Sequence, residues 1–208
     1  MCPFIIERTE NQAPATKFLA LTTACFYKDF ISDVIAYAKK FIEQNQRVLL
    51  FDGSLGLGDL NIHLSYRKDQ DVEAVLKGQK AISVLTERHE EMDWISGCSK
   101  KMNLGCYSEV QLYNLLSDLK LLGQSYQNVF IYVPPTLPNI QNFFCQQMDS
   151  VCFACDIDNS IAATMKLVSM YPNMRCYLKV REDFLKATDA LRLTLALQKD
   201  RILYNVKK

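Results

Sequence analysis

Glycine and proline are scarce in this chain, 7 and 6 among 208 residues, which excludes collagen-like and low-complexity disordered architectures. Charge of one sign is missing as well. The 24 Lys plus Arg stand against 23 Asp plus Glu, a formal net charge of +1. Proteins that neutralise many phosphates carry a clear basic surplus, so no nucleic-acid partner is expected. No apolar run approaches the ~20 residues that span a bilayer, so no transmembrane segment is expected. The opening Met1-Cys2-Pro3-Phe4-Ile5-Ile6-Glu7-Arg8 offers neither a basic leader nor a long apolar stretch. No signal peptide follows from it, and the expected location is cytoplasmic.

What is present points to one packed domain. Hydrophobic residues make up 49% of the chain, enough for a sizeable core at this length. The 8 cysteines do not read as a disulfide scaffold, because the chain is long, core-rich and without a secretory mark. The nearest pair, Cys152 and Cys155, lies in a strand-like run, where residues three apart face opposite ways and cannot converge on a metal. Buried free thiols are the expectation.

Strand-like and helix-like segments alternate. Strands are expected at Lys17–Thr23, Arg47–Asp52, Asn128–Val133, Ser150–Cys155 and Arg175–Val180, with a strand and turn over Met92–Gly97 and a short final strand over Asp200–Val206. Several are continuous apolar runs, as in parallel strands covered on both faces. Between them, Phe30, Ile31, Val34, Ile35, Ala38, Phe41 and Ile42 mark one buried helix face. Asp71 opens a short helix through Lys77, ending at Gly78. Ser108 and Gln111 have capping-box spacing before a helix to about Leu122. Further helices are expected at Asn139–Gln147, from about Asn159, and over Asp183–Gln198. This alternation predicts a doubly wound α/β domain, 1–208, with a mainly parallel sheet, helices on both faces and residues 1–16 as an N-terminal extension. Function in such sheets sits in loops at the carboxyl ends of the strands.

Few side chains carry chemistry of their own accord. His63 has no nucleophile visibly paired to it, and His89 lies in the charged, solvated run Glu87–Glu91. Glu90, Glu91 and Asp93 read as an acidic turn rather than a metal site. Lys100-Lys101 and Lys207-Lys208 are isolated pairs, not basic patches. No catalytic residue and no metal ligand are therefore assigned.

One stretch is more specific. Arg47-Val48-Leu49-Leu50-Phe51-Asp52-Gly53-Ser54-Leu55-Gly56-Leu57-Gly58-Asp59-Leu60-Asn61-Ile62-His63-Leu64 resembles the R-V-L-L-x-D-x-D-L-G-L-A-N-x-D-x-L-L segment of the MinD/ParA family, closest to its FlhG/FleN-type flagellar-number regulators. Val72–Gly78, Met92–Gly97 and Met148–Cys155 resemble further family segments, so that the likeness runs from about Lys17 to Val180. It implies a P-loop NTPase fold of MinD/ParA type and, in relatives, ATP and Mg²⁺. The family's K-G-G-x-G-K-[ST] loop falls on Cys25-Phe26-Tyr27-Lys28-Asp29-Phe30-Ile31. That stretch has no glycine to let backbone amides wrap a phosphate. Cys25 and Phe30 stand at the two lysine positions, and Ile31 at the Mg²⁺-binding hydroxyl. In the family's D-x-D element Asp52 remains and Ser54 replaces the second acid. Tyr132 stands where the strand before Pro134-Pro135 should end in an acid.

The resemblance thus implies a pseudo-ATPase with a vestigial site at Cys25, Phe26, Tyr27, Lys28, Phe30, Ile31, Asp52, Ser54 and Tyr132, and no cofactor. The expected role is regulation through protein partners in flagellar, cell-pole or division positioning, with any homodimer independent of nucleotide. Phe26, Tyr27, Tyr132, Pro134 and Pro135 are the candidate partner face. The alternative is a weak nucleotide sensor, or an enzyme rebuilt around Asp52, Ser54, Asp59 and Tyr132. Relatives often end in a membrane-targeting helix; the strand-like end of this chain argues against peripheral membrane contact by that route.

Overall fold

The computed structural model describes residues 15–24, 30–55, 60, 64, 72–97, 107–135, 137–155, 158–171, 175–181 and 202–205. Their strands are β1 (Lys17–Thr23), β2 (Val48–Asp52), β3 (Glu87–His89), β4 (Met92–Ile95), β5 (Asn128–Val133), β6 (Ser150–Cys155), β7 (Arg175–Arg181) and β8 (Ile202–Asn205). They form one sheet in the order β3-β4-β2-β5-β1-β6-β7-β8. Every pairing is parallel except the antiparallel edge pair β3–β4. The helices are α1 (Phe30–Ile42), α2 (Val72–Leu76), α3 (Glu109–Gly123), α4 (Pro138–Gln147) and α5 (Asp158–Ser169), with a 3₁₀ turn at Ile82–Leu85.

The period-2 alternation of the central strands divides the core in two. Leu19, Leu21, Leu50, Phe130 and Tyr132 face α1, which contributes Phe30, Val34, Ala38 and Phe41. Ala20, Leu49, Phe51, Val129 and Ile131 face the other side, covered by α2, α3 and α4 through Val75, Leu112, Leu116 and Phe144. Strands buried on both faces need continuous apolar sequence, which is why β2 and β5 read as they do. The expected doubly wound sheet is the observed one.

Local signals behave as expected where they are strong. Ser108 Oγ accepts from the Gln111 amide and the Gln111 side chain accepts from the Ser108 amide, a complete capping box at α3. Gly78, at φ +69, ends the turn after α2 in a conformation that costs glycine little. Cys145 and Cys152 are buried and in no disulfide. The amino-terminal edge of the sheet is stapled by Tyr126, whose hydroxyl donates to Asp93 Oδ2 at 3.0 Å. The Arg47 guanidinium lies 4.8 Å from its ring centroid. Burial, then the bond to Asp93, pushes the Tyr126 hydroxyl up to about 12.

One expectation changes. The run Glu87–Glu91 is not merely a solvated surface: Glu87–His89 is a short edge strand on β4, with Arg88 opposite Asp93 and His89 opposite Met92. Its charged residues suit an edge that must not pair further. The turn beyond it is tied down, since Glu90 pairs with Lys39 at 2.8 Å. The expected helix Asp183–Gln198 lies outside the described residues, as do His63, Asp59 and Lys100-Lys101. Among the described residues no helix is long and apolar enough to cross a membrane.

Candidate functional site

The carboxyl ends of β1, β2, β4 and β5 lie side by side, where open α/β sheets form their ligand crevice. Parallel register sets Leu21, Tyr132 and Asp52 side by side on the face that α1 covers. Tyr132 is 1% exposed and Phe30, the first residue of α1, 4%. Their rings pack at 5.3 Å between centroids, tilted by 40°. Aromatic pairs favour this separation, and the contact closes the floor of the crevice on the α1 side.

Beside it lies a buried polar corner. Asp52 is fully buried, and its Oδ1 accepts from the Ser54 amide at 3.0 Å, turning the chain out of β2. Ser54 is also buried, and its Oγ has no hydrogen-bond partner among the described residues. Gly97, just past β4, leans on both: a Cβ there would stand 3.2 Å from Asp52 Oδ2 and 3.4 Å from Ser54 Oγ. Between Asp52 and Ser54, Gly53 donates its amide to the Tyr132 carbonyl at 2.8 Å. A Cβ on Gly53 would fall 2.7 Å from that oxygen, so only glycine fits.

On the opposite side of β5 a hydrogen-bond chain crosses three elements. The Thr22 hydroxyl donates to the Val133 carbonyl at 2.7 Å. Gln141, in the first turn of α4, donates to Thr22 Oγ1 at 2.7 Å and to the Thr23 carbonyl at 3.0 Å. Thr22, Thr23 and Gln141 are all buried.

The structure therefore brings Phe30, Asp52, Ser54 and Tyr132 to one place, with Ile31 half-buried nearby on α1. Cys25, Phe26, Tyr27 and Lys28 lie outside the described residues. Of the candidate partner face, Tyr132 and Pro134 are buried and Pro135 is half-buried. Tyr132 thus belongs to the core it shares with Phe30 rather than to a surface. Gln141 and Gly97 are the site residues that sequence reading missed. The only available signal was a pair of threonines, Thr22-Thr23, ending an otherwise apolar strand.

Comparison with solved structures decides the fold family. The ParA family ATPase from Chlorobium tepidum TLS is similar with a TM-score of 0.69 at 13% identity, over 94% of this chain and 85% of that one. MinD in the MinC:MinD cell division protein complex of Aquifex aeolicus gives 0.69 at 15% identity, over 90% and 79%. The fold is that of the MinD/ParA ATPases. Cobyrinic acid a,c-diamide synthase from Mycobacterium smegmatis, solved with an ATP analogue and magnesium, shares the fold at TM-score 0.70 and 18% identity, over 88% and 83%. No protein-family model matches the sequence, and no curated protein matches it significantly. In a MinD/ParA fold the crevice of Asp52, Ser54 and Tyr132 lies where open α/β sheets bind their ligands.

Proposed function

We propose that this chain is a non-catalytic MinD/ParA-like regulator that works by binding other proteins, in positioning or partitioning, with flagellar, cell-pole and division-site placement as the specific roles. The observation that carries this reading is the Phe30–Tyr132 ring pair in the floor of the crevice. A Mg²⁺–nucleotide group needs carboxylate or hydroxyl oxygens and a glycine-lined backbone at that end of the sheet. The end of β5 and the stretch after β1 do not suit it. A buried aromatic ring at Tyr132 offers no carboxylate, and no glycine occurs from Thr22 to Ile31. No step of nucleotide chemistry is therefore derived. The MinC:MinD complex supports the partner half of the reading, since a protein of this fold is there assembled with another protein.

A weak nucleotide sensor is the second reading, and Ser54 favours it: a buried hydroxyl without a partner among the described residues is a point at which a ligand oxygen could be held. The two readings part on assembly. Under the first, light scattering gives one mass with and without ATP, and a mass that changes on adding ATP contradicts it. Phe26→Asp with Tyr27→Asp then tests the candidate partner face, to which the half-buried Pro135 also belongs. The double variant is expected to fold and to lose self-association or partner capture. If both survive in a folded double variant, the face is not an interface.

A further inference from the structure

We propose that Gln141, Thr22 and the carbonyls of Thr23 and Val133 form a built-in latch that holds the β1–β5–α4 corner in one position whether or not a nucleotide is present; the inference rests on the non-catalytic reading above. At the carboxyl end of a parallel sheet the last strand carbonyls lose their ladder partners and must find others. Here three of them are met from within the chain. Thr22 Oγ1 takes the Val133 carbonyl at 2.7 Å, Gln141 Nε2 takes the Thr23 carbonyl at 3.0 Å, and Gly53 takes the Tyr132 carbonyl at 2.8 Å. Gln141 also donates to Thr22 Oγ1 at 2.7 Å, so that one hydroxyl links β1, β5 and α4. The Thr22 and Gln141 side chains are both buried, where breaking a hydrogen bond leaves polar atoms that water does not reach.

A ligand-driven switch requires an element with two arrangements of similar free energy. Where β1, β5 and α4 meet, these donors and acceptors are committed to one arrangement. A partner would therefore meet the same face at all times, and regulation would come from the partner rather than from nucleotide turnover.

Segment-resolved hydrogen exchange on the full chain tests this. Gln141→Leu removes both donations and Thr22→Val removes the hydroxyl, while Thr22→Ser keeps it. In the first two, amides of residues 131–141 are expected to exchange about tenfold faster or more, with β2 and β4 unchanged, and Thr22→Ser to behave as wild type. A merely structural contribution would instead raise exchange throughout the sheet. In the wild-type chain, saturating Mg·ATP is expected to leave exchange at 131–141 as it was. Wild-type exchange in both Gln141→Leu and Thr22→Val, or a change at this corner on adding Mg·ATP, overturns the latch. Calorimetry separates the two proposals. Nucleotide binding with an unmoved corner refutes the nucleotide-independent part of that reading and leaves the latch; no binding with unaltered variants refutes the latch and leaves the reading.

Discussion

Tyr132→Asp is expected to destabilise the fold by more than about 4 kcal/mol, or to prevent folding, and to yield no gain in nucleotide binding. The substitution would return an acid to the end of β5, the position where the resemblance to MinD/ParA ATPases asks for one. Two losses follow from the packing. The buried ring leaves a cavity against Phe30 and the Leu19, Leu21 and Leu50 side chains of the same cluster. A carboxylate then enters that space directly beside Asp52, its register neighbour on β2, so that two acids share one desolvated face. Tyr132→Phe keeps the ring and is expected to cost about 1 kcal/mol or less. Denaturant unfolding of the two variants decides the matter. An aspartate variant within about 1 kcal/mol of wild type would mean that this end of the crevice is open to water.

Gly53→Ala is expected to cost about 2–4 kcal/mol, although it adds a single methyl group. The added Cβ would lie 2.7 Å from the Tyr132 carbonyl oxygen and 2.9 Å from Ile131 Cγ2. The first of these is backbone in the centre of the sheet and cannot turn aside. Relief requires parting β2 from β5, which stretches the 2.8 Å bond from the Gly53 amide to that same oxygen. Gly78→Ala provides the comparison. Nothing lies within 4 Å of its Cβ position, and only the positive φ of +69 opposes it, so about 1 kcal/mol is expected. Midpoints from denaturant titration at unchanged slope should rank Gly53→Ala well below Gly78→Ala. Equal midpoints would show that the β2–β5 junction is loose.

The central strands were legible to the residue because burial on both faces leaves no room for polar interruption. Lys17–Thr23, Asn128–Val133 and Ser150–Cys155 begin and end as the sequence indicates. β2 starts at Val48 rather than Arg47, whose carbonyl instead receives the Gln127 and Asn128 amides; strand ends differ by such a step according to which bonds are counted. β3 was missed because three charged or polar residues carry no apolar period, and their pairing is decided by Met92–Ile95. Likewise the 3₁₀ turn at Ile82–Leu85 has its buried residues, Ile82 and Leu85, at a spacing too short to signal a helix.

The site was legible in part, and for a definite reason. Asp52 announces itself as an acid closing an apolar strand, and Tyr132 as a polar ring before two prolines. Gln141 is one amide among several in Pro138–Gln147. Its importance arises from contact with Thr22, 119 positions away, which no local pattern encodes. Gly97 is of the same kind. It follows β4 inconspicuously, and only the folded chain sets it against Asp52 and Ser54.

The central claim is that this MinD/ParA fold operates without nucleotide at the crevice of Asp52, Ser54 and Tyr132. Isothermal titration calorimetry of the full wild-type chain with Mg·ATP and Mg·ADP tests it most directly. The account predicts no binding heat with nucleotide up to about 1 mM, the range in which affinity falls to about −4 kcal/mol. Saturable binding of either nucleotide at micromolar concentration would contradict it.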